Sequence, residues 1–321
     1  MEQQPLIGRR NLLKATATIA AGMTATTAAL GAEEQQQQLP AQATQQVGPQ
    51  PTMLAEVPLS PSTKLSIERR GQVVLFGLNR PTNQNRVDPE LFQILARAYY
   101  DYDHDPSLRA AVLFGHGDMF SRGIDVEAYQ AVAGKGSPLA GLTRVLNPLG
   151  YGQARLTKPL IAAVHGDTWN LGHELLLTAD IRIAAANTNF GQDENAHGRF
   201  PGGGSTVRFV REAGWGNAMR YMLTGEHWTA QEAIRMGVIQ EVADTPKAAV
   251  ERALAIANKV ATCGPLGIQT TLVSAHLAID AAEEVAFSKL GAQYGSLFRT
   301  NDFVEGLAAQ AQGRPPVFKG N

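Results

Sequence analysis

The stretch from His165 to Thr206, HGDTWNLGHELLLTADIRIAAANTNFGQDENAHGRFPGGGST, constrains the chain more than any other. The apolar run Leu160-Ile161-Ala162-Ala163-Val164 stops just before it and has the length of a buried strand. After a loop comes an apolar segment, Leu171 to Ala179, long enough for a short helix, and then a second short strand, Ile181 to Ala185. A polar loop carrying Glu194 follows and ends in Pro201 and three glycines. Glu174 and Glu194 therefore stand at the ends of regular elements and not on solvated faces. Carboxylates presented in that way are where chemistry is expected.

The rest of the chain alternates strands and helices. Leu65-Ser66-Ile67 and Val73 to Leu78 read as a hairpin across Arg70-Gly71. Asp88-Pro89 offers an N-cap and a first-turn proline for a helix whose apolar face runs to about Asp103. Ala110 to Phe114 is the next strand, and the loop Met119 to Val126 contains Gly123, suited to a turn that leaves backbone N–H groups unpaired. Gly134 to Pro138 reads as a surface excursion, and Leu139 to Leu156 as a helix interrupted at Pro148 and Gly150. Thr206 to Ala213, Asn217 to Leu223 and Thr229 to Met236 read as short helices. A strand at Val238 to Val242 then precedes helices at Pro246 to Ala261, from Pro265, and at Asp302 to Ala311. The pattern predicts an α/β core over residues 62–260 with a helical region over 261–321 appended.

The N-terminus is of another kind. Gly8-Arg9-Arg10-Asn11-Leu12-Leu13-Lys14 places paired arginines before an uncharged Ala/Thr-rich run to Ala32, and this resembles a bacterial twin-arginine export signal. The alternative is a weakly apolar helix retained by the protein. Export would place the protein in the periplasm or outside the cell, and an unused signal would leave it in the cytoplasm. Loss of residues 1–32 removes a net +2, so the formal charge moves from −1 to −3, which suggests no nucleic-acid partner. The run is a poor membrane span. Residues 33–61, rich in Gln, Pro and Ala without an apolar period, have the composition of a disordered linker. With Cys263 as its single cysteine, the chain has neither an internal disulfide framework nor a cysteine-rich zinc site.

Three familiar sites are set aside on spacing. His173-Glu174 begins like a zinc-protease helix, but Leu177 stands where the second histidine is required. No Gly-x-Ser-x-Gly elbow occurs. Gly202-Gly203-Gly204-Ser205-Thr206 lacks the lysine of a phosphate-binding loop. His173 and His197 lie three residues or fewer from a candidate glutamate and could orient or replace a proton carrier, and Asp193 and Trp169 could line the same pocket.

In order along the chain, Leu78-Asn79-Arg80-Pro81, Phe120-Ser121-Arg122-Gly123-Ile124-Asp125, Lys158 to Gly166, Phe190-Gly191-Gln192, Pro201-Gly202-Gly203-Gly204, Leu223-Thr224-Gly225 and Glu305-Gly306 resemble the crotonase family. This is the superfamily of enoyl-CoA hydratases and isomerases. The resemblance covers about residues 64 to 318 and implies a spiral of ββα turns with a helical trimerisation region, assembled as a homotrimer or homohexamer. It also implies an oxyanion hole of two backbone N–H groups, which fall on Ile124 and Leu171, and two water-activating glutamates, which fall on Glu174 and Glu194 with the family's twenty-residue separation. Arg122, Gly123, Asp125, Trp169 and Tyr294 fall at substrate or coenzyme A positions. Coenzyme A would enter as part of an acyl thioester substrate, with no separate cofactor and no metal. Two departures stand out: Leu171 replaces a usual glycine, and Gly313 stands where a basic residue for the nucleotide phosphates is common. The implied activity is hydration of an α,β-unsaturated acyl thioester. A crotonase-type C–C bond hydrolase acting on a β-dicarbonyl compound without coenzyme A, and a catalytically silent binding protein, are the competing readings.

Overall fold

The computed structural model describes residues 53–132, 136–151, 155–297 and 299–319. The expected export signal and most of the expected linker lie outside the described residues, as does part of the Gly134 to Pro138 excursion. The chain enters through β1 (Leu65–Arg70) and β2 (Val73–Leu78), an antiparallel hairpin that turns at Gly71 with φ 64°. Helix α1 (Pro89–His104) begins as its sequence dictates: the Asp88 carboxylate accepts the Leu91 N–H at 2.7 Å, and Pro89 fills the first turn. There follow β3 (Ala110–Gly115), α2 (Val126–Gln130), β4 (Leu160–Val164), β5 (Asp167–Trp169), α3 (Leu171–Leu176), β6 (Ile181–Ala185) and β7 (Asn189–Gly191). Then come α4 (Ser205–Ala213), α5 (Trp215–Thr224), β8 (Trp228–Thr229), α6 (Ala230–Arg235), β9 (Glu241–Ala243), α7 (Pro246–Ala261), α8 (Pro265–Leu277), α9 (Asp280–Leu297) and α10 (Asn301–Gln312).

Among the described residues, six strands form one sheet in the order β1-β2-β3-β4-β6-β9, parallel from β2 onward, and β5-β7-β8 form a smaller sheet. The chain thus leaves one strand in the large sheet and one in the small: β4 then β5 before α3, and β6 then β7. This is the expected ββα spiral. Strand β2 is buried along its whole length, because parallel strands covered on both faces read as continuous apolar runs. Its alternate residues serve two cores. Val74, Phe76 and Leu78 meet Leu91, Leu95 and Tyr99 of α1, whereas Val73 and Leu75 join Ala249, Ala253 and Ala257 of α7. Alanines four residues apart make a smooth stripe that lets α7 lie close to the sheet. Ala253 is fully buried there, so Ala253→Leu is expected to lower stability by about 1–3 kcal/mol through overpacking, measured by denaturant unfolding.

Three expectations are corrected. Among the described residues of Leu139 to Leu156 there is no helix: Gly141, Arg144 and Gly150 have φ of 74°, 57° and 59°, which a right-handed helix does not admit. The strand expected at Val238 to Val242 is shorter and later, Glu241–Ala243, because Val238 and Ile239 turn into the core before the chain reaches the sheet. The linker reading of 33–61 fails at its C-terminal end. Leu54 is buried, its N–H donates to Asp105 Oδ2 at 2.9 Å, and Val57 pairs with Ile67 through two backbone bonds.

Asp105 anchors that arm by also accepting from Arg69 and from the Ser107 N–H and hydroxyl. Burial opposes its ionisation, but these donors outweigh it and hold the carboxyl down at about 2, against an ordinary 3.8. A depressed carboxyl contributes stability that is present above its ordinary value and lost as pH falls through the folded value. Wild type is therefore expected to lose stability as pH is lowered from 4 to 2 in denaturant unfolding, and Asp105→Asn is expected to be less stable than wild type at pH 7 and to show a flatter pH dependence across that window.

Candidate active site

Glu174 projects from α3 and Glu194 opens the 3-10 turn Glu194–His197, and both are buried. The Glu174 Oε1 accepts the Ser205 N–H at 3.1 Å, and Gly203 packs so closely that an added Cβ would lie 2.0 Å from Oε2. The glycine run before α4 is thus the cradle of a carboxylate. Glu194 receives Gln192 Nε2 at 3.0 and 3.1 Å, and Gln192 Oε1 accepts from His173 Nδ1 at 2.6 Å. Both carboxyls are pushed up from the ordinary range. For Glu174 the cause is burial, opposed by the Ser205 and Gly203 N–H groups. For Glu194 it is burial first and the charge of Glu174 second, which shows that the two groups feel each other. Each carboxylate therefore opposes ionisation of the other, and burial opposes ionisation of both.

Two backbone N–H groups, those of Ile124 and Leu171, have no partner among the described residues. Gly123 O and Asp125 N bond to Val87, which turns the N–H of the intervening Ile124 the opposite way. The Leu171 N–H, first in α3, has no acceptor in the preceding turn. Neither makes a hydrogen bond among the described residues. The loop bearing Ile124 is strung along β5 by Ser121 N to Asp167 O (3.1 Å) and Trp169 N to Ser121 O (2.9 Å). At Gly123, with φ 95°, a Cβ would meet Asn170 Cβ at 2.9 Å and Leu171 N at 3.4 Å, so the two N–H groups come from segments in direct contact. Leu171, despite its size, turns its side chain into the core.

The other expected residues divide. His173 is fully buried among Phe190, Phe209 and Trp228, and desolvation lowers its pKa to about 4, so it is a neutral core histidine that orients Gln192. His197 lies 3.4 Å from Asp193, on the far side of that residue from the Asn170 amide. Arg122 is paired with Asp167 at 2.5 Å and stacked 4.3 Å over Trp169, whose own ring meets His227. Asp125 caps α2 and pairs with Arg80 at 3.0 Å. Tyr294 is on α9, but its side chain lies outside the described residues. Gly313 closes α10 with φ 62°, and its neighbour Arg314 is bound to Glu305. A cavity of about 350 Å³ opens beyond the end of α3, lined by Leu177, Thr178, Asp180 and Arg208 but by neither glutamate, so the chemistry is not placed there.

With this geometry in place, comparison with known proteins is decisive. The family described as Enoyl-CoA hydratase/isomerase matches residues 68–321. The chain belongs to that family. The enoyl-CoA hydratase EchA19 of Mycobacterium tuberculosis is 37% identical over 257 residues, which is 79% of this chain and 95% of that protein. The 2,3-dehydroadipyl-CoA hydratase of Escherichia coli is 34% identical, covering 80% of this chain and 99% of its own. The crystal structure of a carnitinyl-CoA hydratase from Mycobacterium avium superposes with a TM-score of 0.72 at 32% identity, over 80% of this chain and 99% of that one. As a member of the enoyl-CoA hydratase/isomerase family, this protein is an enzyme, and its similarity to these proteins spans nearly all of their length.

Four residues of this family member escaped the sequence reading. Gln192 belongs to the Phe-Gly-Gln motif, whose spacing alone gives it no task, and its amide joins His173 to Glu194. Gly203 and Ser205 read only as a tight turn. Asn170, with φ 53° and ψ −120°, occupies a backbone region that costs a non-glycine residue about 1–3 kcal/mol. An asparagine immediately before an expected N–H donor was the one signal available for it.

Proposed function

We propose that the protein is a lyase that adds water reversibly across the double bond of an α,β-unsaturated acyl-CoA thioester. The observation that carries this reading is the pair of buried carboxyls, of which the charge of Glu174 opposes ionisation of Glu194, together with two backbone N–H groups that have no partner among the described residues. In this mechanism the Ile124 and Leu171 N–H groups donate to the thioester oxygen and stabilise the charge it gains as an enolate. Glu174, whose ionised form is favoured by the Ser205 and Gly203 N–H groups, takes a proton from water as its oxygen bonds to the β-carbon. Glu194, whose ionisation is opposed by burial and by the charge of Glu174, delivers a proton to the α-carbon, so the double bond is consumed and water is added in full. The names of the relatives, which include hydratases of acyl-CoA thioesters, support the same class of substrate.

Assembly as a homotrimer or homohexamer belongs to this reading, and exposed Leu266, Val273 and Leu277 on α8 support it. Export through the twin-arginine route rests on Arg9-Arg10 and the run that follows. The deciding experiment incubates the full chain with crotonyl-CoA and with coenzyme A-free β-diketones, following loss of the enoyl thioester absorbance and C–C cleavage products. Hydration of the thioester supports the proposal. Cleavage of the diketone alone would replace it with the hydrolase reading.

A further inference from the structure

Asn170 stands at a junction. Its ψ angle rotates the peptide plane that carries the Leu171 N–H, so any relaxation of Asn170 turns that donor away. Its φ and ψ, 53° and −120°, belong to a region that glycine enters freely and asparagine does not. Something must therefore hold it. The Asn170 Nδ2 donates to Asp193 Oδ1 at 2.7 Å, and the Asp193 N–H donates to Asn170 Oδ1 at 2.9 Å. The two side-chain bonds form a closed reciprocal pair, fixing the Asn170 amide at both ends. On the main chain, Asn170 N donates to Gly191 O and Asn170 O accepts from Glu174 N, each at 2.9 Å.

The partner is equally well placed. Asp193 immediately precedes Glu194, so the same pair of bonds that twists Asn170 also ties down the turn from which Glu194 projects. Its other oxygen, Oδ2, faces His197 Nε2 at 3.4 Å and His227 Nε2 at 3.5 Å. These histidines, Asn170 and the nearby Arg86 leave Asp193 surrounded by donors and positive charge, and its carboxyl is held far below the ordinary range despite burial. The group is an anion whenever the enzyme works.

We propose that Asn170 and Asp193 form a clamp that positions the Leu171 N–H and Glu194 together, making both of them positioning residues for the reaction. The inference rests on the hydratase reading for its kinetic consequence, but the geometry of the clamp can be tested without it. A second effect follows from the same placement. Glu194 faces Glu174, Asp193 and Arg199, and the negative charge of Asp193 is one of the influences that keep its proton on. Asp193 would therefore set where the Glu194 carboxyl lies and help to keep it protonated.

The test uses the full chain in four forms: wild type, Asp193→Ala, Asn170→Gly with Asp193→Ala, and Asp193→Asn. Removing the clamp in Asp193→Ala is expected to lower kcat about 100-fold with a much smaller change in KM, since misplacing a reacting group by about 1 Å costs on that order. Adding Asn170→Gly lets the backbone keep its twist without the clamp, and kcat is expected to recover about tenfold or more. Asp193→Asn keeps an acceptor for Asn170 Nδ2 but loses the charge, so the alkaline limb of the kcat profile is expected to move to lower pH. In protein labelled with ¹⁵N-leucine, the Leu171 amide resonance is expected to shift in Asp193→Ala and return in the double variant. A kcat for Asp193→Ala within about threefold of wild type, or a glycine that rescues nothing, overturns the clamp. If wild type hydrates no thioester, the hydratase reading falls, and the Leu171 resonance alone then decides the clamp: a resonance unmoved by Asp193→Ala overturns it. If Asp193→Ala does not fold, the pH profile and Leu171 resonance of Asp193→Asn decide instead, an unshifted limb with a displaced amide being the overturning result.

Discussion

Replacing Glu194 with glutamine is expected to lower kcat for enoyl thioester hydration by about 10²–10⁴-fold, the range lost when a positioned acid or base is removed. Glu174→Gln is expected to fall in the same range, and the double variant to be little worse than either single one, because in the proposed mechanism the two act on the same water and substrate. Steady-state kinetics on the three variants checks this. Stability should move the other way. A carboxyl whose folded pKa is raised contributes most at low pH and loses that contribution as pH climbs from its ordinary 4.5 toward the folded value. Ionising this buried pair thus costs stability near neutrality, and glutamine does not ionise. Glu194→Gln is expected to melt higher than wild type at pH 7 and to show a flatter dependence of Tm on pH above 4.5. A variant both slower and more stable would mark Glu194 as a residue kept for chemistry.

Gly203→Ala is expected to reduce kcat about 100-fold while leaving unfolding nearly unchanged. The new Cβ would fall 2.0 Å from Glu174 Oε2 and 2.5 Å from its Cδ, so the carboxylate must leave its place. The backbone at 203 is not among the positive-φ glycines, so alanine brings no conformational strain of its own. What gives way is the end of a flexible side chain, cheap in stability and expensive in geometry. Gly172→Ala offers the contrast. There the Cβ would meet the backbone oxygen of Ser121 at 2.5 Å, and the loop bearing Ile124 must shift away from α3, so stability and activity are both expected to drop. Comparing the two by thermal melting and kcat separates damage to the carboxylate from damage to the scaffold.

Much of this architecture is legible in the sequence. The hairpin, the cap at Asp88, the buried strand Leu160–Val164 and the helix Pro246–Ala261 follow from local rules, in which each residue's preference agrees with its neighbours'. The stretch from Leu139 failed because its apolar residues suggested a helix while Gly141, Arg144 and Gly150 adopt left-handed conformations, and nothing local announces the φ of an arginine. The arm at Leu54–Val57 failed for another reason. Its composition is that of a linker, and only the distant Asp105 and Ile67 give it partners.

The same division runs through the site. The sequence by itself determined the alternation of strands and helices, the ordered motifs that carry the family likeness and through it imply the ββα spiral, and Glu174 and Glu194 as the carboxyls to examine, because these depend on motifs and periodicity along the chain. That His173 is a neutral core residue, that Gln192 joins it to Glu194, and that Gly203 cradles Glu174 was decided by tertiary structure. So was the clamp between Asn170 and Asp193, which are 23 residues apart. Burial, proton affinity and the direction of a backbone N–H depend on what surrounds a group in space, and the chain brings those neighbours together only when it folds.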